Sequence, residues 1–212
     1  MKAVHTIGRR VGTALLTPPA RFIGRLGISP TVFTFLGLAL GVGAGVAFGA
    51  GRLRTGALLV LAAGLTDMFD GAVARACGRV SRFGAFIDSV LDRYSEAAYL
   101  TGLAYFYAAR AELWPTLLVV LLVSGSIIVS YAKARAESLR VSCDVGVMER
   151  PERMVLLAVG YLVGGRGAVA ALVLLALFSH LTALQRIIYT WRRLRSAPPA
   201  GGEGADDAGR GP

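Results

Sequence analysis

Cysteine and histidine are almost missing from this 212-residue chain: Cys77, Cys143, His5 and His180 are the whole complement, and none stands near another. That excludes a zinc site of Cys/His type and a disulfide scaffold. Charge is scarce as well, at 17% of residues, where soluble domains carry about 25%. Acidic residues are the rarer sign, 13 against 23 Lys and Arg, which leaves a net charge of +10. Apolar residues fill the gap: 55% of the chain is hydrophobic, against about 45–50% in soluble domains, and the mean hydropathy is +0.60. This composition excludes a disordered or collagen-like chain and points to the membrane class. It does not point to nucleic acid, because a nucleic-acid binder shows a basic stripe with base-contacting polar groups. Here short arginine clusters are separated by long apolar stretches.

Six such stretches, at 31–50, 56–77, 84–108, 113–136, 153–164 and 168–189, come near the ~20 residues that cross a bilayer. The fifth is short. The connections are brief, so sequential helices are expected to pack antiparallel. Residues 1–29 mix Arg9, Arg10, Arg21 and Arg25 with Val11, Leu15, Leu16, Phe22, Ile23 and Leu26, which suits a helix lying in the membrane interface. Arg21 and Arg25 interrupt any apolar core there, which argues against a secretory signal peptide. Residues 196–212, rich in Gly, Pro, Ala and acidic groups, bury too little to fold and read as a disordered tail. The expected fold is therefore an all-α membrane protein: an interfacial amphipathic helix over 1–29, six transmembrane helices over 30–195, and the tail.

Lys and Arg are unevenly shared between the two sets of connections. One side collects Lys2, the four N-terminal arginines, Arg75, Arg79, Arg82, Lys133, Arg135, Arg140, Arg150, Arg153, Arg186, Arg192, Arg193 and Arg195; the other has Arg52, Arg54, Arg110 and Arg166. The positive-inside rule then places both termini and the 2–3 and 4–5 connections in the cytoplasm.

Against this apolar background Asp67, Asp70, Asp88, Asp92 and Glu96 stand out. A charge at the bilayer centre costs at least ~2.5–3.5 kcal/mol on insertion scales, so each needs a partner or a wet cavity. Asp67, Asp70 and Ala74 share one helical face, as do Gly84, Asp88 and Asp92, and both faces lie towards the cytoplasmic ends of consecutive helices. Carboxylates converging in this way repel one another unless cations intervene. Oxygen-only donors favour Mg2+, Mn2+ or Ca2+, and paired metals on carboxylates serve phosphoryl chemistry. Ion pairs with Arg75, Arg82 and Arg93, or a proton or cation pathway, are the alternatives that spacing leaves open. Gly71, Ala74 and Gly84 keep the backbone bare for a bulky ligand, although close helix packing also uses small residues.

The full pattern, Asp67-x2-Asp70-Gly71-x2-Ala74-Arg75-x8-Gly84-x3-Asp88-x3-Asp92, resembles the signature of the CDP-alcohol phosphotransferase (CDP-alcohol phosphatidyltransferase) family at every position. The resemblance implies a membrane enzyme that binds CDP-diacylglycerol on two divalent ions, Mg2+ or alternatively Mn2+. It implies Asp67, Asp70, Asp88 and Asp92 as metal ligands and Asp92 also as the general base. Gly71, Ala74, Arg75 and Gly84 would line the CDP-lipid site, with Arg75 gripping pyrophosphate bidentately. A homodimer is the assembly that the family suggests.

A second basic group surrounds the fourth connection, with Lys133 and Arg135 before it and Glu149-Arg150-Pro151-Glu152-Arg153 at its end. Ordinary positive-inside charge accounts for it equally well as a phosphate pocket does. Pro151 suits the first turn of the fifth helix, whose free N–H groups would face an anion. These segments, with Gln185-Arg186, are similar to those of the family's bacterial phosphatidylinositol phosphate synthase branch. That resemblance implies Lys133, Arg153 and Arg186 as ligands of the acceptor phosphate and inositol phosphate as the favoured acceptor. Glycerol 3-phosphate is the alternative acceptor, and a cation or proton transporter is the alternative from another class. The 140–147 loop, with Cys143 and Asp144, carries no readable signature.

Overall fold

The computed structural model describes residues 30–76 and 81–196. The expected interfacial helix over 1–29 and the tail beyond Ser196 lie outside them. Among the described residues every regular element is a helix: α1 (Pro30–Gly49), α2 (Leu53–Ala76), α3 (Arg82–Ala108), α4 (Leu113–Ser138), α5 (Arg150–Val163) and α6 (Arg166–Ser196).

Local chemistry sets the ends. Pro30 and Pro151 stand in the first turns of α1 and α5, where a missing N–H costs nothing. Ser81 caps α3, its hydroxyl accepting from the Gly84 amide at 2.9 Å. After α5 the chain turns through Gly164 and Gly165, at φ +76° and +52°, a region that glycine enters without steric cost.

Among the described residues, α1 (from Thr31), α4 and α6 are long and apolar enough to cross a membrane. Charged residues within α2 and α3 lower their hydropathy, and α5, with 14 residues, is short. At 1.5 Å per residue α5 reaches only about 21 Å.

Contacts run from α1 to α2 and α3, from α2 to α5, from α3 to α4, and from α6 to α4 and α5. The α1–α3 crossing is close because of small residues. A Cβ added at Gly102 would run into the Gly45 carbonyl oxygen, and one at Gly45 into the Ala98 carbonyl oxygen. This is the small-residue approach by which helices gain dispersion contact where lipid offers no hydrophobic drive. The core continues through Phe48, Leu103, Leu157, Tyr161 and Leu172, with the Phe48 and Tyr161 rings 5.3 Å apart and the Tyr107 and Tyr161 hydroxyls 3.0 Å apart.

Candidate active site

The C-terminal half of α2 and the N-terminal half of α3 carry the aspartates. Asp67, Asp88 and Asp92 come within electrostatic reach of one another. Asp70, Gly71, Ala74 and Arg75 lie on the last turns of α2, following Asp67, and only their backbone is described. Gly84 opens α3 one turn before Asp88. On the other flank α1 crowds the site: a Cβ at Gly37 would lie 3.0 Å from Asp67 Oδ1.

Among the described residues, the cation that bridges Asp67 and Asp92 is one that spacing did not single out. Arg150, from the first turn of α5, places Nη1 2.5 Å from Asp67 Oδ2 and 2.6 Å from Asp92 Oδ2. Its Nη2 also donates to the Asp92 backbone carbonyl at 3.2 Å. Arg93, one of the ion-pair partners expected from spacing, stands farther off, 3.7 Å from Asp92. It donates instead to Ser89 O and Ser130 Oγ.

Among the described residues no three His, Cys, Asp or Glu side chains are gathered closely enough to hold an ion as they stand; Asp70 is outside that set. The donors nevertheless fit a hard divalent cation. All are carboxylate oxygens, and Asp88 Oδ1 is buried with no hydrogen-bond partner. A buried acceptor in that state is costly until a cation or donor reaches it.

The basic group is assembled around the α4–α5 connection, and each member is already engaged. Lys133 Nζ lies 2.9 Å from Asp144 Oδ1 and 3.7 Å from Glu137 Oε1. Ser142 donates to the other Asp144 oxygen at 3.1 Å. The Lys133 hydrogen bond, with its positive charge, holds the exposed Asp144 carboxyl below the usual carboxylate range. Arg186 donates from Nε to Val145 O at 2.9 Å and from Nη1 to Val129 O at 2.8 Å, and it lies within electrostatic reach of Arg153 and Asp144. Arg153 is buried, and its Nη2 meets Glu96 and Ser126. Gly146 lets the connection lie against α6, since a Cβ there would sit 2.6 Å from Thr182 Cγ2.

Two functional candidates therefore emerge only in three dimensions. Arg150 was visible as part of the Glu-Arg-Pro-Glu-Arg run without a partner, and Glu96 as a carboxylate without a task. Their spacing was the available signal: Arg150 and Arg153 fall three apart on α5, as Asp92 and Glu96 fall four apart on α3, so each pair shares a helix face.

A family model described as CDP-alcohol phosphatidyltransferase matches residues 27–191. The archaetidylinositol phosphate synthase of Methanothermobacter thermautotrophicus is 38% identical over 175 residues, covering 81% of this chain and 87% of that protein. The phosphatidylinositol phosphate synthase of Mycobacterium tuberculosis is 36% identical over 200 residues, covering 90% and 92%. The crystal structure of the latter enzyme with CDP-DAG bound superposes with a TM-score of 0.77 at 34% identity, covering 91% of this chain and 99% of that one. A second crystal structure, with manganese and citrate, also gives a TM-score of 0.77, at 34% identity and over 90% and 93% of the two chains. A family match over residues 27–191, with relatives above 30% identity and a solved structure of the same fold, means that the chain belongs to the CDP-alcohol phosphatidyltransferase family of transferases.

Proposed function

We propose that this protein transfers a phosphatidyl group from CDP-diacylglycerol to a hydroxyl of inositol phosphate, releasing CMP. The observation that carries the reading is the convergence of Asp67, Asp88 and Asp92 from α2 and α3 beside a cluster of basic side chains. Relatives named for the inositol phosphate product, one of them crystallised with CDP-DAG, support the choice of both substrates.

Asp67, Asp70, Asp88 and Asp92 are assigned to two divalent ions, Mg2+ or Mn2+. When bound, these ions would supply positive charge to the pyrophosphate and to the departing CMP. Manganese in the related crystal structure supports a divalent ion here. Gly71, Ala74 and Gly84 leave room for the nucleotide, and Arg75 is assigned to the pyrophosphate. Asp92 removes the proton from the acceptor hydroxyl. The freed oxygen forms a bond to the phosphorus that carries diacylglycerol, the bridging P–O bond breaks, and the bridging oxygen leaves with CMP. Lys133, Arg153 and Arg186 hold the acceptor phosphate, so that the hydroxyl meets the reacting phosphorus in a fixed orientation.

In this reading all six helices cross the bilayer, an N-terminal helix lies in the interface, and the site opens to the cytoplasm. Two copies form a homodimer. The test is CMP release by purified protein supplied with CDP-diacylglycerol and a divalent ion, with inositol phosphate, glycerol 3-phosphate or unphosphorylated inositol as acceptor. Release with inositol phosphate above the other two is expected. Release with glycerol 3-phosphate alone overturns the acceptor, and release with none overturns the reaction.

A further inference from the structure

Glu96 takes no part in the reaction just described, yet it is 5% exposed on a helix in an apolar chain. It stands one turn beyond Asp92 on α3, on the same face. Its partner is Arg153, itself 4% exposed. Arg153 Nη2 lies 3.2 Å from Glu96 Oε1, 3.4 Å from Oε2 and 3.0 Å from Ser126 Oγ. Three helices thus meet on one nitrogen: α3 through Glu96, α4 through Ser126 and α5 through Arg153.

The arrangement is lopsided. A guanidinium carries five N–H donors in a rigid planar fork. Here the contacts from α3 and α4 fall on Nη2, while the buried Nε has no hydrogen-bond partner. Fixing Nη2 at two points sets the plane of the fork and the direction of its remaining donors. A buried guanidinium also needs an opposite charge while no anion is bound, because an unpaired buried charge is strongly unfavourable. Glu96 supplies that charge without taking up the Nε–H.

We propose that Glu96, assisted by Ser126, is a positioning residue for the acceptor: it holds Arg153 by Nη2 so that the unpartnered Nε–H meets the phosphate of the incoming alcohol. The inference rests on the reading above that Arg153 binds that phosphate. It also links the two halves of the site. Asp92 and Glu96 ride on one helix, so the proton acceptor and the group that sets the phosphate grip keep a fixed separation.

The test compares Glu96→Ala, Glu96→Gln, Ser126→Ala and Arg153→Ala in full-length protein with divalent ion, measuring KM for inositol phosphate and for CDP-diacylglycerol separately. Glu96→Ala is expected to raise the acceptor KM about tenfold or more while the CDP-diacylglycerol KM stays unchanged. Glu96→Gln, whose amide oxygen still accepts from Nη2 but carries no charge, is expected to recover part of that loss, and Ser126→Ala to raise the acceptor KM by less. An unchanged acceptor KM in Glu96→Ala, or equal rises in both KM values, overturns the inference. So does failure of Glu96→Gln to improve on Glu96→Ala. Should Glu96→Ala fail to fold, an unchanged acceptor KM in Ser126→Ala overturns it instead. Arg153→Ala separates the two levels. If its acceptor KM is normal, the reading of Arg153 falls and the positioning role falls with it; if it is impaired while Glu96→Ala is normal, only the positioning role falls.

Discussion

Arg150 reaches from the start of α5 to carboxylates on two other helices, and its side chain is only 15% exposed. Removing one partner of a buried ion pair typically costs about 3–5 kcal/mol, because the other charge is left uncompensated. Arg150→Gln is therefore expected to unfold at a lower temperature than wild type when a chelator is present. Added Mg2+ or Mn2+ should close the gap, since the ion answers the same carboxylates; thermal unfolding with and without metal reads this directly. Asp92→Asn keeps the shape of the side chain but accepts a proton poorly. Turnover is expected to vanish while CDP-diacylglycerol binding persists, and residual activity near wild type would remove Asp92 as the base. Asp144 gives the pH-dependent case. Lys133 lowers its carboxyl in the folded chain, so the contact stabilises fully above the ordinary aspartate value of about 3.9 and is lost as the pH falls through the lower folded value. At neutral pH the pair is intact, so in the proposed function the lysine must leave Asp144 to grip the acceptor phosphate. An exposed pair is worth about 0.2–1 kcal/mol. Asp144→Asn is accordingly expected to lower the acceptor KM by up to about fivefold, most visibly at low salt.

Helix contacts decide whether these residues meet at all. Gly37, Gly41, Gly45 and Gly49 recur every fourth residue along α1; Gly37 lies against Thr66 and Asp67 of α2, while the other three lie against α3, where an added Cβ at Gly41 would strike Ser95 Oγ. Gly102→Ala places a methyl group against the Gly45 carbonyl oxygen. The two helices must then separate, at a cost of about 1–3 kcal/mol for overpacking. A lower melting temperature in detergent is expected, together with reduced turnover, because α3 also carries Asp88 and Asp92. An unchanged melting temperature would show that the crossing tolerates a side chain. Much of this level was legible beforehand. The helix limits follow from apolar runs and from proline and glycine, and the aspartates on consecutive helices follow from period and loop length. The partners of those aspartates were not legible, because Arg150 meets Asp67 across 83 residues and Arg153 meets Glu96 across 57. Local periodicity says which face a residue occupies and leaves open which distant helix covers that face.

At the scale of the molecule the two ends of the bundle are chemically different. At one end the C-terminal half of α2, the N-terminal half of α3 and the start of α5 come together through Arg150, Asp67 and Asp92, beside the connection that runs from α4 to α5. At the other, the α1–α2 turn meets the end of α3, where a Cβ at Gly51 would lie 3.4 Å from Arg110 Nη2. Between them the outward faces are apolar: Val42 is 46% exposed, Val120 54%, Ile127 56% and Leu177 52%. A surface of that kind is stable against lipid and a liability in water. Among the described residues the first end carries Arg82, Lys133, Arg135, Arg140, Arg150, Arg153, Arg186, Arg192, Arg193 and Arg195, and the second Arg52, Arg54, Arg110 and Arg166; by the positive-inside rule this charge difference supports the proposed cytoplasmic placement of the site. Arg52→Cys and Arg140→Cys, each made with Cys77 and Cys143 replaced by serine, report the two ends separately. An impermeant maleimide is expected to label Arg52→Cys in intact cells and Arg140→Cys only after the membrane is opened. The reverse pattern would turn the bundle over, putting the site on the face away from cytoplasmic nucleotide-linked lipid. Labelling of both from outside would mean that the helices between them do not separate two compartments.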